Sequence, residues 1–233
     1  MSNLAYIIGK DPDTNEPVIG NLTPNVLILG DSIDNKATLT NSIVREITSN
    51  NTPEELQFIL VDTKTSSLSK FQSLPHLTQP IVNDPEAFPE ILDSLIKEVD
   101  RRYDLLIKAK CKSIQKYNLK HPDIIPSIVV VIDELADIML LNDPAKMEPL
   151  FVRFFQRYQR ASDVHFIINA TTEGDFTKWL TGLMRSNLGM NMILLKPSQE
   201  DTYNVFPGLE GKLNFTDEIG YYSNEIVLKK FTI

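Results

Sequence analysis

Apolar residues fall along this chain in two rhythms, and their succession predicts a parallel sheet covered by helices. Short, mostly apolar runs recur at Val26 to Leu29, Phe58 to Val61, Ile128 to Ile132, His165 to Ile168 and Met192 to Leu195. Runs of this length without alternation read as strands buried on both faces, the environment of a parallel sheet. Longer segments lie between them. Thr38 to Ile47 sets Leu39, Ile43 and Ile47 at helical spacing, and Pro85 to Tyr117 carries Ile91, Leu95, Val99, Leu106 and Ile114 on one stripe. Leu150 to Arg160 and Phe176 to Ser186 also read as helices, and Ile219 to Tyr222 with Glu225 to Phe231 flank Ser223-Asn224 as a terminal hairpin. The series is that of βαβ units, an α/β fold.

The 233 residues suffice for one domain. We divide it into a lead-in over 1–24 and a core over 25–233. A formal charge of −8 argues against coating nucleic acid through the overall field, while leaving room for a local basic surface. The single cysteine, Cys111, excludes an internal disulfide framework and a cysteine-based zinc site. No apolar run approaches the roughly 20 residues of a membrane span, and the start, Met1-Ser2-Asn3-Leu4-Ala5-Tyr6, has no signal-peptide pattern. The expectation is a soluble, cytoplasmic domain without a transmembrane segment.

In such a fold ligands gather beyond the carboxyl ends of the strands, after Gly30, Asp62, Asp133 and Ile168. Asp133-Glu134 closes the most apolar strand. An acid there orders a magnesium shell in P-loop enzymes, and a glutamate beside it polarises the attacking water. The segment Gly30-Asp31-Ser32-Ile33-Asp34-Asn35-Lys36-Ala37 has the length of a phosphate loop and keeps its first glycine and its lysine. Asn35 stands where a second glycine lets backbone N–H groups close on phosphate, and Ala37 stands where a hydroxyl ligates magnesium. Asp31 and Asp34 add negative charge where phosphate would lie. Thr38 supplies a hydroxyl only if the loop slips by one residue. Alone, the segment is an ordinary polar strand-to-helix turn; the two elements together in one βαβ series point to a nucleotide-binding ancestry.

Short matches then accumulate in order along most of the chain. They comprise Gly9-Lys10-Asp11, Glu16-Pro17-Val18-Ile19, Thr52-Pro53-Glu54-Glu55, Asp62-Thr63-Lys64, Leu74-Pro75-His76-Leu77, Glu98 to Tyr103, Tyr117-Asn118, Asp133 to Asp137, Gln156-Arg157 and Thr181-Gly182-Leu183. Through them the chain resembles the motor domain of the FtsK/SpoIIIE DNA translocases, hexameric ring ATPases with a RecA-like P-loop core. The resemblance implies a mostly parallel sheet flanked by helices, with ATP and Mg2+ as cofactors if the site is functional. It implies Gly30, Asn35, Lys36, Ala37 and Thr38 at the nucleotide, Asp133 on magnesium through water, and Glu134 as the catalytic base. Arg160 would reach a neighbour's nucleotide within a homo- or hetero-oligomeric ring. The family's usual Ala-Thr-Gln-Arg-Pro after the fourth strand is here Ala170-Thr171-Thr172-Glu173-Gly174, so this phosphate-facing element also departs from the pattern. The membrane anchor and the winged-helix domain of full members are not expected within these 233 residues.

Three functions are consistent with these residues. One is a pseudo-ATPase subunit or regulator that keeps fold and ring while nucleotide binding is weak or lost. The second is an active ATP-dependent translocase of double-stranded DNA, and the third an interaction module of a secretion or conjugation machine. Lys108, Lys110, Lys112 and Lys116, in a stretch without acids, are the candidate DNA contacts. Upstream of them, Glu98, Asp100 and Asp104 interleave with the basic residues as on a solvated helix face. His76, His165 and Trp179 sit among apolar neighbours and read as packing residues.

Overall fold

The computed structural model describes residues 2–64, 67–158, 162–171, 179–189, 191–195, 219–224 and 228–232. An antiparallel hairpin, β1 (Ala5–Lys10) and β2 (Pro17–Asn21), precedes the core. The core follows as β3 (Val26–Leu29), α1 (Ile33–Ser49), β4 (Leu56–Val61), α2 (Phe88–Ala109), α3 (Ile114–Asn118) and β5 (Ser127–Ile132). Then come α4 (Leu135–Leu141), α5 (Pro144–Tyr158), β6 (Val164–Ala170), α6 (Gly182–Leu188), β7 (Asn191–Leu194), β8 (Gly220–Ser223) and β9 (Leu228–Phe231). The strands form one sheet in the order β4-β5-β6-β3-β7-β8-β9. The first five run parallel, while β8 and β9 are antiparallel to their neighbours.

The apolar runs behave as expected of doubly buried strands. Leu27 and Leu29 of β3 and Ile128, Val130 and Ile132 of β5 face one core, which α2, α4 and α5 cover. Val26, Ile28, Val129 and Val131 face the other, which α1 and the β1–β2 hairpin cover. Each fully buried Val, Leu or Ile contributes roughly 1.5–3 kcal/mol of transfer free energy, so two such layers hold the sheet in register. β6 lies between β3 and β5, so the strand leading into the Gly30 segment and the strand ending at Asp133 are separated by one strand.

Four expectations about the elements need correction. The Pro85–Tyr117 stretch is not one helix: a short 3-10 turn over Pro85–Ala87 leads into α2, which stops at Lys110. Lys110 takes a left-handed φ of 52°, its N–H and that of Cys111 turn back to Ile107 and Leu106, and Ser113 caps α3 afresh. Periodicity cannot register such a break, because the apolar stripe continues through it at Ile114. The helix over 38–47 begins five residues earlier than its apolar spacing indicated, at Ile33, with consequences described below. α4 and the β1–β2 hairpin were not anticipated; both are short, and β1–β2 has one solvated face. Of the helix placed over 176–186, residues 176–178 lie outside the described ones, and α6 starts at Gly182. The terminal hairpin is present as β8 and β9. Among the described residues no helix is long and apolar enough to cross a membrane.

Candidate functional site

The parallel strands deliver their carboxyl ends to one rim, and the sequence-derived residues meet there. Gly30 follows β3, where a Cβ would sit 3.0 Å from the Leu195 side chain and 3.1 Å from its carbonyl oxygen, a tight approach that glycine makes without any shift of Leu195. The backbone then enters α1 almost at once. Ser32 is the N-cap, its hydroxyl accepting from the Asn35 N–H at 3.3 Å, while its carbonyl accepts from the Lys36 N–H at 3.2 Å. The segment from Ile33 to Lys36 is helix rather than open loop. Asp31, Asp34 and Thr38 are exposed on or before its first turns, and Ala37 is half-buried.

Lys36 points inward and is 2% exposed. Its ammonium lies 3.3 Å from Glu134 Oε2, an ion pair that joins α1 to the end of β5. Lys64, just past β4, stands 3.9 Å from the same Glu134 oxygen and 3.8 Å from Asp137 Oδ2. One buried cation, Lys36, and one exposed cation, Lys64, therefore converge on one carboxylate, and the buried ammonium compensates its desolvation.

Asp133 sits beside this pair. Its Oδ1 accepts the Thr63 N–H at 3.2 Å, and the Thr63 hydroxyl lies 3.3 Å from that oxygen and 2.6 Å from Asp137 Oδ2. Burial, aided by a hydrogen bond shared with the Asp62 carboxyl and opposed by the Thr63 N–H, pushes the Asp133 carboxyl up to about 7. Asp62 is fully buried, and its Oδ2 accepts the Leu68 N–H at 2.8 Å, which fixes the turn after β4. One strand inward, Asn169 near the end of β6 accepts a hydrogen bond from Thr40 on α1 at 3.0 Å, with both side chains buried.

The sequence reading thus found Gly30, Lys36, Asp133 and Glu134, and the structure brings them together. It underweighted Thr63, Lys64 and Asp137, which complete the polar cluster; the signal was their place directly after a strand carboxyl end. Thr40 and Asn169 were missed because each lies inside a regular element. Arg160, like Thr172, Glu173 and Gly174, lies outside the described residues. Lys108, Lys110, Lys112 and Lys116 are not part of this rim. Lys108 lies in the last turn of α2, Lys110 caps it, and Lys112 and Lys116 follow; α2 runs back towards the start of β5, so all four lie at the amino ends of the strands. His76 and His165 are buried, bonded to the Asn51 and Pro24 carbonyl oxygens respectively, and Trp179 is in the core, as packing residues should be.

Comparison with known proteins agrees with this geometry. Residues 2–175 match the model of the FtsK/SpoIIIE family. The chain is 34% identical over 193 residues to the DNA translocase FtsK of Helicobacter pylori, covering 80% of this chain and 22% of that protein. It is 31% identical over 198 residues to the DNA translocase FtsK of Campylobacter jejuni, covering 80% of this chain and 20% of the relative. The chain therefore spans about a fifth of the length of these relatives. Among solved structures it superposes on the pCW3 conjugation coupling protein TcpA, determined with ATPγS, with a TM-score of 0.79 at 18% identity, over 98% of this chain and 65% of TcpA. It also superposes on the cytoplasmic domain of the type VII secretion ATPase EccC of Thermomonospora curvata, with a TM-score of 0.77 at 24% identity, over 98% of this chain and 28% of EccC. These likenesses give the fold, a RecA-like α/β core with a mostly parallel sheet, and the family match covers most of the sequence. The chain belongs to the FtsK/SpoIIIE family.

Proposed function

We propose that this chain is a pseudo-ATPase subunit of an FtsK/SpoIIIE-type assembly, in which an internal ion pair takes the place of nucleotide. The observation that carries the reading is the start of α1. A working phosphate loop aims a run of backbone N–H groups and a lysine at the β- and γ-phosphates. Here the Asn35 and Lys36 N–H groups are used inside the helix cap, and the Lys36 ammonium is held by Glu134. Ala37 has no hydroxyl for magnesium, and Asp34 adds negative charge to the helix's first turn. The residues in this arrangement do not fit a nucleoside triphosphate with its metal, so no catalytic step is assigned to Glu134 or Asp133.

What remains is a subunit that keeps the fold and a preorganised rim, suited to fill a place in a homo- or hetero-oligomeric ring or to regulate an intact relative. The convergence of Lys36, Asp133 and Glu134 supports a second reading, a working DNA motor, should nucleotide binding open the cap. A titration of ATP with magnesium against the melting temperature separates the two. We expect no shift at millimolar ATP for the natural chain, and a shift after Asp34→Ser, Asn35→Gly and Ala37→Ser together restore the loop pattern. A shift in the natural chain that disappears with Lys36→Ala would overturn the proposal and move the motor reading forward.

A further inference from the structure

The segment from Leu105 to Pro122, at the end of the sheet away from the Lys36–Glu134 rim, has a composition unlike the rest of the molecule. It carries five lysines and no acid, whereas the remaining chain holds all 31 acidic residues and 18 of the 23 basic ones. Lys108, Lys110, Lys112, Lys116 and Lys120 are all exposed, and none is in an ion pair among the described residues. Upstream on the same helix the opposite holds: Lys97 pairs with Asp93, and Arg101 with Glu98.

Large apolar side chains stand exposed among these lysines. Ile107 on the last turn of α2 is 70% exposed, Leu119 is 65% exposed and Ile124 is 49% exposed. Two of them immediately precede a lysine, as Ile107-Lys108 and Leu119-Lys120. The surface is rigidly built. Ile114 anchors α3 in the interior, and the Asn118 side chain clasps the following loop by donating to the Ile125 carbonyl at 2.9 Å and accepting the Ile125 N–H at 3.0 Å. Tyr117 and His121 stack at 4.1 Å across the same loop. Leu119 and Ile124 are therefore held out to solvent by an ordered loop.

We infer that this face docks on an anionic lipid bilayer. A bilayer offers a layer of negative headgroups for the lysines and, directly beneath, an apolar layer for the isolated isoleucine and leucine side chains. Duplex DNA satisfies only the first requirement, since its phosphate backbone gives Ile107, Leu119 and Ile124 nothing apolar to enter. A partner helix would want a continuous apolar groove, whereas Ile107, Leu119 and Ile124 are single apolar side chains set among charged ones. The charge asymmetry also sets orientation: even with the flanking Asp104 and Asp123 counted, five lysines against two acids leave residues 104–123 at +3, which draws this segment to an anionic surface, while the acidic remainder of the chain is repelled. Strands rising about 3.3 Å per residue put the Lys36–Glu134 rim roughly 20 Å from the docked end, facing away from the bilayer. The inference does not depend on whether nucleotide is bound.

The test is co-sedimentation of the purified chain with vesicles of phosphatidylcholine containing 30% phosphatidylglycerol, against pure phosphatidylcholine vesicles, at about 0.1 M salt. Binding to the anionic vesicles only is expected. Lys112→Gln with Lys116→Gln should weaken partitioning about 25-fold, at about fivefold per lysine. Ile107→Ser with Leu119→Ser should weaken it at least tenfold while leaving the charge unchanged. Each variant is checked for an unchanged melting temperature. If the serine variant binds anionic vesicles as well as the natural chain, the apolar side chains do not insert and the inference fails. It fails equally if the chain ignores vesicles but binds a duplex DNA fragment with salt-dependent affinity, which would make this a nucleic-acid surface.

Discussion

Replacing Asp133 by Asn should make the protein more stable at alkaline pH and leave it nearly unchanged at about pH 4. The Asp133 carboxyl is pushed up to about 7 by burial and by the neighbouring Asp62, whereas an aspartate in the unfolded chain titrates near 3.9. Between those values the native state holds a proton that the unfolded state has lost, so stability falls as pH rises through the window from about 4 to about 7, and is level above it. A gap of about three pH units corresponds to ~4 kcal/mol. Residual water contact and proton sharing with Asp62 reduce the expected effect to about 2 kcal/mol, or ~4–8 °C for a domain of this size. Asparagine retains an oxygen for the Thr63 N–H and gains an amide that donates to Asp62, so the geometry of the turn is preserved. The assay is urea denaturation of both proteins at pH 4.0, 5.0, 6.0, 7.0 and 8.0. The difference between them should grow from near zero to about 2 kcal/mol. Two parallel stability curves, or a difference largest at low pH, would show that Asp133 is ionised throughout and refute the reasoning.

Two further outcomes follow from the charged networks at the opposite ends of the strands. Lys36→Met should cost about 3 kcal/mol by leaving the buried Glu134 carboxylate without the ammonium at 3.3 Å, and adding Glu134→Leu should recover more than half of that; a double-mutant cycle in urea checks the coupling, and simple additivity would mean the pair is inert. Asp163 behaves oppositely to Asp133. Burial works against its ionisation, but hydrogen bonds from His165 and Ser127, with the charges of His165 and Arg102, hold its carboxyl below the usual range. Its contribution is therefore complete above about pH 4 and lost as pH falls further. Asp163→Asn should flatten the acid limb of the stability curve, measured from pH 2 to 5, while lowering stability at pH 7; an unchanged acid limb would count against it.

The physical basis of the fold lies in local sequence, and so it could be read there. Five continuous apolar runs have no solvated face to alternate with, which forces strands covered on both sides, and Asp133-Glu134 announces a strand end because two adjacent carboxylates need polar partners that an apolar layer does not offer. Tertiary structure decided what sequence spacing does not encode. The left-handed turn at Lys110 interrupts an unbroken apolar stripe, since the break depends on backbone bonds to Leu106 and Ile107. The extension of α1 back to Ile33 rests on Ser32 capping it, an option open to any serine in a polar loop. The partner of Lys36 is set by the placing of β6 between β3 and β5, which brings Glu134, 98 residues away in sequence, within 3.3 Å. Sequence fixes which residues must be buried and which carry charge; only the packed sheet determines which charges meet, because Coulomb and desolvation energies depend on distance and enclosure rather than on order along the chain.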